Sequence, residues 1–211
     1  MSPRLCPALL APLVLAAACS GVFQTHEAAP VVYVLHPVPP AAATQPPLAA
    51  TLVVARPAAR PGLDGERIAV RLADRRLDAY AGAEWGAPVP QLVEALLVDA
   101  FRATGTWQAV VTDRSAFPGR YLLQAEVTDF AADYTAGGPP LVRVELRGEL
   151  GRAADRRLVA TVAGRGEVRA AADRQREVAA AFEAAAGHAL GEVVAAAEAA
   201  ARAAEAAVPA R

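Results

Sequence analysis

Cysteine is almost missing from this chain: Cys6 and Cys19 are the only two in 211 residues. Lysine is missing altogether, so the basic residues are all arginine, and with abundant alanine this reads as genome composition rather than chemistry. Because alanine contributes little burial energy, the hydrophobic fraction of 55% overstates the core. Charge is nearly balanced, at a formal −1, or −2 if Arg4 is lost with a leader; neither value attracts nucleic acid or an anionic membrane surface. Catalytic residue types are equally sparse. The histidines are His26, His36 and His188, with no HExxH spacing, and His26 with Glu27 makes at most a two-ligand metal site in a tether. The serines are Ser2, Ser20 and Ser115, none inside G-x-S-x-G. Asp64 and Glu66 form a carboxylate pair in a turn, with no nucleophile nearby and nothing to bury them. Phosphate-cradling loops are absent, since Gly137-Gly138-Pro139-Pro140 is a hairpin turn with no following helix. The expectation is a non-catalytic binding or assembly protein with no cofactor and no metal.

What is present starts at the N-terminus. Arg4 and the apolar run from Leu5 to Leu15 have the charged and hydrophobic regions of a secretory signal, and small residues Ala16-Ala17-Ala18 end it immediately before Cys19. This resembles a bacterial lipobox, in which the peptide is cut before a cysteine that carries the lipid. One position departs from that pattern: Ala16 stands where leucine is usual, with Leu15 one residue further back. The competing reading is cleavage by an ordinary signal peptidase, which leaves Cys19 a free thiol. A membrane-spanning helix fits less well, because the run is shorter than the ~20 residues a bilayer requires and contains Pro7 and Pro12. The organisation that follows is a signal peptide over 1–18, a lipidated tether over 19–30, a domain over 31–194 and an Ala-rich helical tail over 195–211. The tether reaches at most about 40 Å from the anchor. With Cys6 removed and Cys19 acylated no disulfide is possible, so packing must supply the stability. Ser20 follows the cysteine where Asp would favour inner-membrane retention, which implies the outer membrane.

Within the domain, Val31 to Leu35 reads as a buried strand stopped at His36-Pro37, and a Pro-rich connector leads to a second strand over Leu48 to Ala55. Pro61 to Gly65 is a turn; Arg67 to Leu72 alternates as a strand with one wet face, and Arg76 to Tyr80 pairs back on it. Trp85 and Pro88-Val89-Pro90 introduce a helix with apolar positions Leu92, Val93, Leu96, Leu97, Ala100 and Phe101, ending near Gly105. A strand follows over Trp107 to Thr112. Tyr121 to Tyr134, Leu141 to Leu150 and Leu158 to Val168 are long runs separated by turn residues, an antiparallel meander. Asp173 is placed to cap a last helix, whose stripe is Val178, Phe182, Ala186, Ala189, Leu190 and Val193. Gly187 and Gly191 have the spacing of close helix packing, here expected against the sheet.

Cys19, Tyr33-Val34-Leu35, Leu63-Asp64 before Arg67-Ile68, then Tyr80, Trp85 and Pro90 ahead of the first helix stand in a particular order. Tyr121-Leu122-Leu123, Glu126 to Phe130, Leu146 to Leu150, and Ala180-Ala181-Phe182 with Ala185 continue it. Together they resemble the ABC-type transport auxiliary lipoprotein family from about Tyr33 to Val194. The resemblance implies a single three-layer α/β domain, with a mixed sheet of about five strands, helices packed on it and a long C-terminal helix. It implies a lipoprotein in the outer membrane, facing the periplasm, that serves intermembrane lipid or solvent transport. Its partners would be the membrane through acylated Cys19, a cell-entry-type substrate-binding protein with its ABC permease and ATPase, further copies of itself, and lipid, but not nucleic acid. Tyr33, Tyr80, Trp85, Trp107 and Phe130 are expected in the core or at sheet edges rather than against lipid. A sheet edge and the smooth Ala-rich tail are the candidate docking surfaces. Two other classes stay open: an assembly or activator lipoprotein of another envelope machine, and a secreted hydrolase relying on Ser115 or His188.

Overall fold

A computed structural model describes residues 29–207. The chain order is β1 (Val31–Tyr33), β2 (Leu48–Val54), β3 (Ala58–Ala59), β4 (Arg67–Arg71), β5 (Leu77–Trp85), α1 (Val89–Thr104), β6 (Trp107–Thr112), β7 (Tyr121–Asp133), β8 (Leu141–Arg152), β9 (Arg157–Arg169) and α2 (Gln175–Ala206). The fold is mixed α/β, with a nine-stranded sheet rather than about five strands. The added strands are short or peripheral. β3 has two residues, too few for any period to register in sequence, whereas β1, three residues long, lies inside the Val31 to Leu35 run already read as a strand.

β7 organises the sheet. One of its edges pairs antiparallel with β8 from Tyr121↔Arg152 to Asp133↔Leu141, and β8 pairs in turn with β9, which is the expected meander. The other edge takes β2, β3 and β4 in succession, all parallel, at Leu52↔Tyr121, Ala58↔Glu126 and Ala69↔Ala131. Pro57 separates β2 from β3, as a residue without an N–H interrupts a ladder. β6 extends β2 in parallel, β5 pairs antiparallel with β4, and β1 lies parallel to β5.

Both helices pack on the sheet and on each other. Val142, Val144, Leu146 and Leu150 of β8 share one buried core with Leu97 and Phe101 of α1 and Phe182, Leu190 and Val193 of α2. The intervening β8 residues Arg143, Glu145, Arg147 and Glu149 point to the opposite, wetter face. Among the described residues that face carries no helix, so the expected three layers reduce to a sheet with helices on one side. Only near Ala69 and Ala131 is it covered, by Leu63 of the turn before β4, which leaves β4 without the wet face its alternation suggested.

α1 forms as its sequence dictates: Pro lies in its first turn, and Gly105, at φ +66°, ends it in the left-handed region where a side chain would be strained. α2 has the hydropathy and length of a membrane span, yet its apolar stripe is buried against β8 and β9. Its N-cap is Arg174 and Asp173 does not cap it; the Asp173 carboxylate accepts the Tyr134 hydroxyl instead. Two aromatic groups fill the core. Trp85 meets Phe130 and Phe182 edge-on at 5.7 and 5.0 Å, and Trp107 meets Phe101 and Tyr121 at 6.4 and 5.6 Å. The aromatic landmarks are thus core or sheet residues, with Tyr33 and Tyr80 half-buried beside the core.

β1 departs from expectation. It lies along β5 with Val31, Val32 and Val34 exposed and only Leu35 buried, so a run that reads as an interior strand is an edge. The helix–sheet close approach is also displaced. Gly164 and Gly166 of β9 face α2 so tightly that an added Cβ would stand 2.0 Å from the Ala189 carbonyl oxygen and 1.9 Å from that of Ala185. Gly187 lies instead beside Pro37, and Gly191 meets nothing.

Candidate docking surfaces

Cys19, the expected lipid-bearing residue, lies outside the described residues, as do His26 and Glu27. The other candidates are scattered. His36 and His188 are exposed on the strand-end loop and on α2; Asp64 and Glu66 are exposed in their turn. The Ser115 hydroxyl accepts the Phe117 N–H within its own turn. Among the described residues no three His, Cys, Asp or Glu side chains are grouped to hold a metal.

The buried charges bind the fold to itself. Glu94, in the middle of α1, takes the Arg56 guanidinium at 2.9 Å and that of Arg114 at 2.7 Å, clamping the corner after β2 and the turn after β6 onto one helix. Burial pushes its carboxyl up, but the hydrogen bonds from Arg114 and Arg56 outweigh this and hold it below the ordinary range. Asp133 behaves alike. Burial is opposed by the Thr135 N–H and by the charges of Arg143 and Arg71, leaving its carboxyl low. Tyr80, Tyr134 and Asp173 form a hydrogen-bonded chain joining β5, the end of β7 and the approach to α2. Sequence reasoning missed these groups because partners lie far apart in the chain, 38 residues for Arg56 and Glu94 and 54 for Tyr80 and Tyr134.

The Ala-rich tail is occupied on one face. α2 continues unbroken past Val194, Ala197 and Ala201 are fully buried, and three polar residues fasten the same stretch. Glu198 accepts the Thr104 and Thr106 hydroxyls at 2.6 and 2.7 Å, Arg202 donates to the Pro46 carbonyl, and Glu205 accepts the Tyr121 hydroxyl at 2.6 Å while pairing with Arg120. Burial and the Glu205 carboxylate push the Tyr121 phenol up to about 12. One face of the tail is therefore packed within the chain, while Ala195, Ala196, Ala199, Ala203 and Ala206 stay exposed on the other. Polar residues at 198, 202 and 205, four and three apart, were the signal of a keyed rather than a free helix.

The sheet edge is different. β9 pairs with β8 alone, so among the described residues its outer edge has no strand. The Arg165 N–H points outward and donates to Glu192 of α2 at 2.9 Å. By the alternation of antiparallel strands, the Thr161 and Ala163 N–H groups point outward too. Thr161 and Ala163 also line, with Gln124, Glu126, Arg147 and Glu149, a groove of about 520 Å³ on the open face. A neighbouring groove of about 430 Å³ shares Gln124 and Glu149 and adds Leu122 and Leu158. Charged Arg157, Arg165, Glu167 and Arg169 bracket this edge, which discourages indiscriminate strand pairing.

The model of the ABC-type transport auxiliary lipoprotein component family matches residues 33–194. The chain belongs to that family. A crystal structure of the Xanthomonas campestris protein XCC0632, of the DUF330 family, is 28% identical with a TM-score of 0.75, covering 83% of this chain and 99% of its own. A second crystal structure, of an uncharacterized protein, is 18% identical with a TM-score of 0.61 over 81% and 97% of the two chains, and shares the fold. No curated protein matches the chain. The matched segment of this auxiliary lipoprotein component runs from Tyr33, the last residue of β1, to Val194 in α2 and so takes in β2 to β9; the fastened end of α2 lies beyond it.

Proposed function

We propose that this auxiliary component is acylated at Cys19, anchored in the outer membrane and exposed to the periplasm, where it docks the cell-entry-type partner of an ABC-driven lipid or solvent transport system without catalysing a reaction. Family membership supports the transport role. The observation that carries the docking mode is the outer edge of β9, which presents backbone donors at Thr161 and Ala163 directly beside the open-face groove. A partner strand added there gains main-chain hydrogen bonds from the edge and places alternate side chains in the groove. One face of the tail is packed and one face of the sheet is covered by helices; of the outer strands β1, β6 and β9, it is β9 that lies beside the open-face groove, which favours it as the route for the transport partner or for further copies of the chain. Lipid is the cargo of the assembly in this reading.

The test is a tagged pull-down from solubilised envelopes, comparing wild type, Cys19→Ala and Ala163→Pro, with intact mass measured on each. Proline at an outward-facing N–H removes a donor without breaking the β8 ladder. Wild type should carry acyl chains and bring down cell-entry-type and ABC subunits, and Ala163→Pro should keep the acyl mass and lose them. An unmodified wild type without such partners overturns the reading, and partner retention by Ala163→Pro overturns the edge.

A further inference from the structure

The pentapeptide Ala-Asp-Arg-Arg-Leu occurs twice, at Ala73–Leu77 and Ala154–Leu158, and in both places it forms a hairpin turn, β4 to β5 and β8 to β9. The two turns share their geometry. Arg75 and Arg156 are the only non-glycine residues at positive φ among the described ones, at +67° and +53°. The Asp74 and Asp155 carboxylates accept the N–H groups of Arg76 and Arg157. Leu77 and Leu158 are held 45% and 53% exposed. Each turn thus offers arginines around an exposed leucine, beside a pocket.

Their positions differ. Arg71 pairs with Asp133 and Arg152 with Tyr121, so the turns sit at opposite ends of β7, about 40 Å apart over its 13 residues. Val31 pairs with Ala83 and Tyr33 with Trp85, so the chain preceding Val31 leaves the sheet toward the Leu77 end. That end also holds the start of α2, where the Gln175 side chain donates to the Ala81 carbonyl. Arg76, Arg174 and Arg176 there have side chains 68%, 73% and 84% exposed, the highest of any arginine in an ion pair among the described residues. Arg169 lies there too. Arg76 shares an exposed ion pair with Asp74, and Arg174 and Arg176 share Glu177, while Asp173 accepts the Tyr134 hydroxyl and Asp78 the Ala79 N–H; among the described residues Arg75 is paired with no carboxylate.

Resting on the acylation proposed above, we infer that the Arg75-Arg76-Leu77 end is the membrane-facing end of the domain and docks on the phosphate headgroups of the bilayer that holds the anchor. Cys19 is ten residues before Ala29, a span of at most about 35 Å, so the tether holds this end near the headgroups. Guanidinium groups bind phosphate in a forked geometry, and Leu77 enters the acyl boundary beneath them. The identical Arg156-Arg157-Leu158 turn then points away from the bilayer, beside the edge proposed for the partner.

The test places a fluorescent, environment-sensitive label through Leu77→Cys or Leu158→Cys in the full acylated protein, where the new thiol is the only free one. Each is reconstituted in vesicles of phosphatidylethanolamine and phosphatidylglycerol containing spin-labelled lipid, after intact mass has confirmed acylation and circular dichroism the fold. The label at 77 should shift to the blue and be quenched, and the label at 158 should do neither. In the Leu77→Cys background, Arg75→Ala should weaken headgroup association about fivefold and reduce the quenching. Quenching at 158 alone, at both sites or at neither overturns the inference while leaving the acylation established. A mass without acyl chains removes its basis and identifies the anchor, not the orientation, as the error.

Discussion

The two faces of the β7–β8–β9 meander are built on opposite principles. Toward α2 the strands present valines, leucines and two glycines, Gly164 and Gly166, so close that helix carbonyls occupy the space a Cβ would need. Toward solvent, the same strands present Thr161 and the ion pairs Arg143–Glu167 and Arg147–Glu145. Close packing tolerates little change, whereas an exposed ion pair contributes little and can be remodelled. The helix face therefore fixes the fold, and the open face with its free β9 edge is where binding can evolve.

Substitutions that cross this divide sharpen it. Phe182→Ala, which removes a fully buried ring from between Trp85 and Phe130, should cost about 4 kcal/mol by denaturant unfolding. Gly166→Ala should cost about 3 kcal/mol, because the new methyl meets helix backbone and α2 must lift from β9. Tyr121→Phe, which leaves Glu205 unpaired by the phenol, should cost about 1 kcal/mol. Arg147→Ala, on the open face, should change stability by no more than about 0.5 kcal/mol. A cost at Arg147 equal to that at Gly166 would erase the distinction.

The pH dependence follows from the same groups. Glu94 and Asp133 are held low in the folded chain, so their contribution is present above the ordinary carboxylate values of 4.5 and 3.8 and is lost as pH falls below them. Glu94→Gln should flatten the acid limb of a stability–pH curve. Tyr121 runs the other way. Its phenol is raised, so the stability is complete below 10 and is lost as pH rises toward about 12, a limb that Tyr121→Phe should remove.

Periodicity made the meander legible, since Tyr121 to Tyr134 and its successors alternate over long runs bounded by Gly137-Gly138 and Asp155. α1 was legible through Pro90 and Gly105. Less local features were not. Val31 to Leu35 has the composition of a buried strand, and only its pairing partner decides that it is an edge. Asp173 has a capping side chain, but Tyr134, 39 residues away, takes it. The alanines after Val194 looked unpartnered because alanine has no shape of its own; the burial of Ala197 and Ala201 goes with Glu198, Arg202 and Glu205 finding partners across the chain. For the docking surface, sequence named a sheet edge and the tail; the fold leaves the β9 edge open and packs one face of the tail.

The most direct measurement is amide hydrogen exchange on the acylated chain, alone and in complex with the partner recovered from envelopes. The account predicts new protection over Arg157–Arg169, centred on Thr161 and Ala163, with α2 unchanged. Protection confined to α2 or absent from β9 would contradict it.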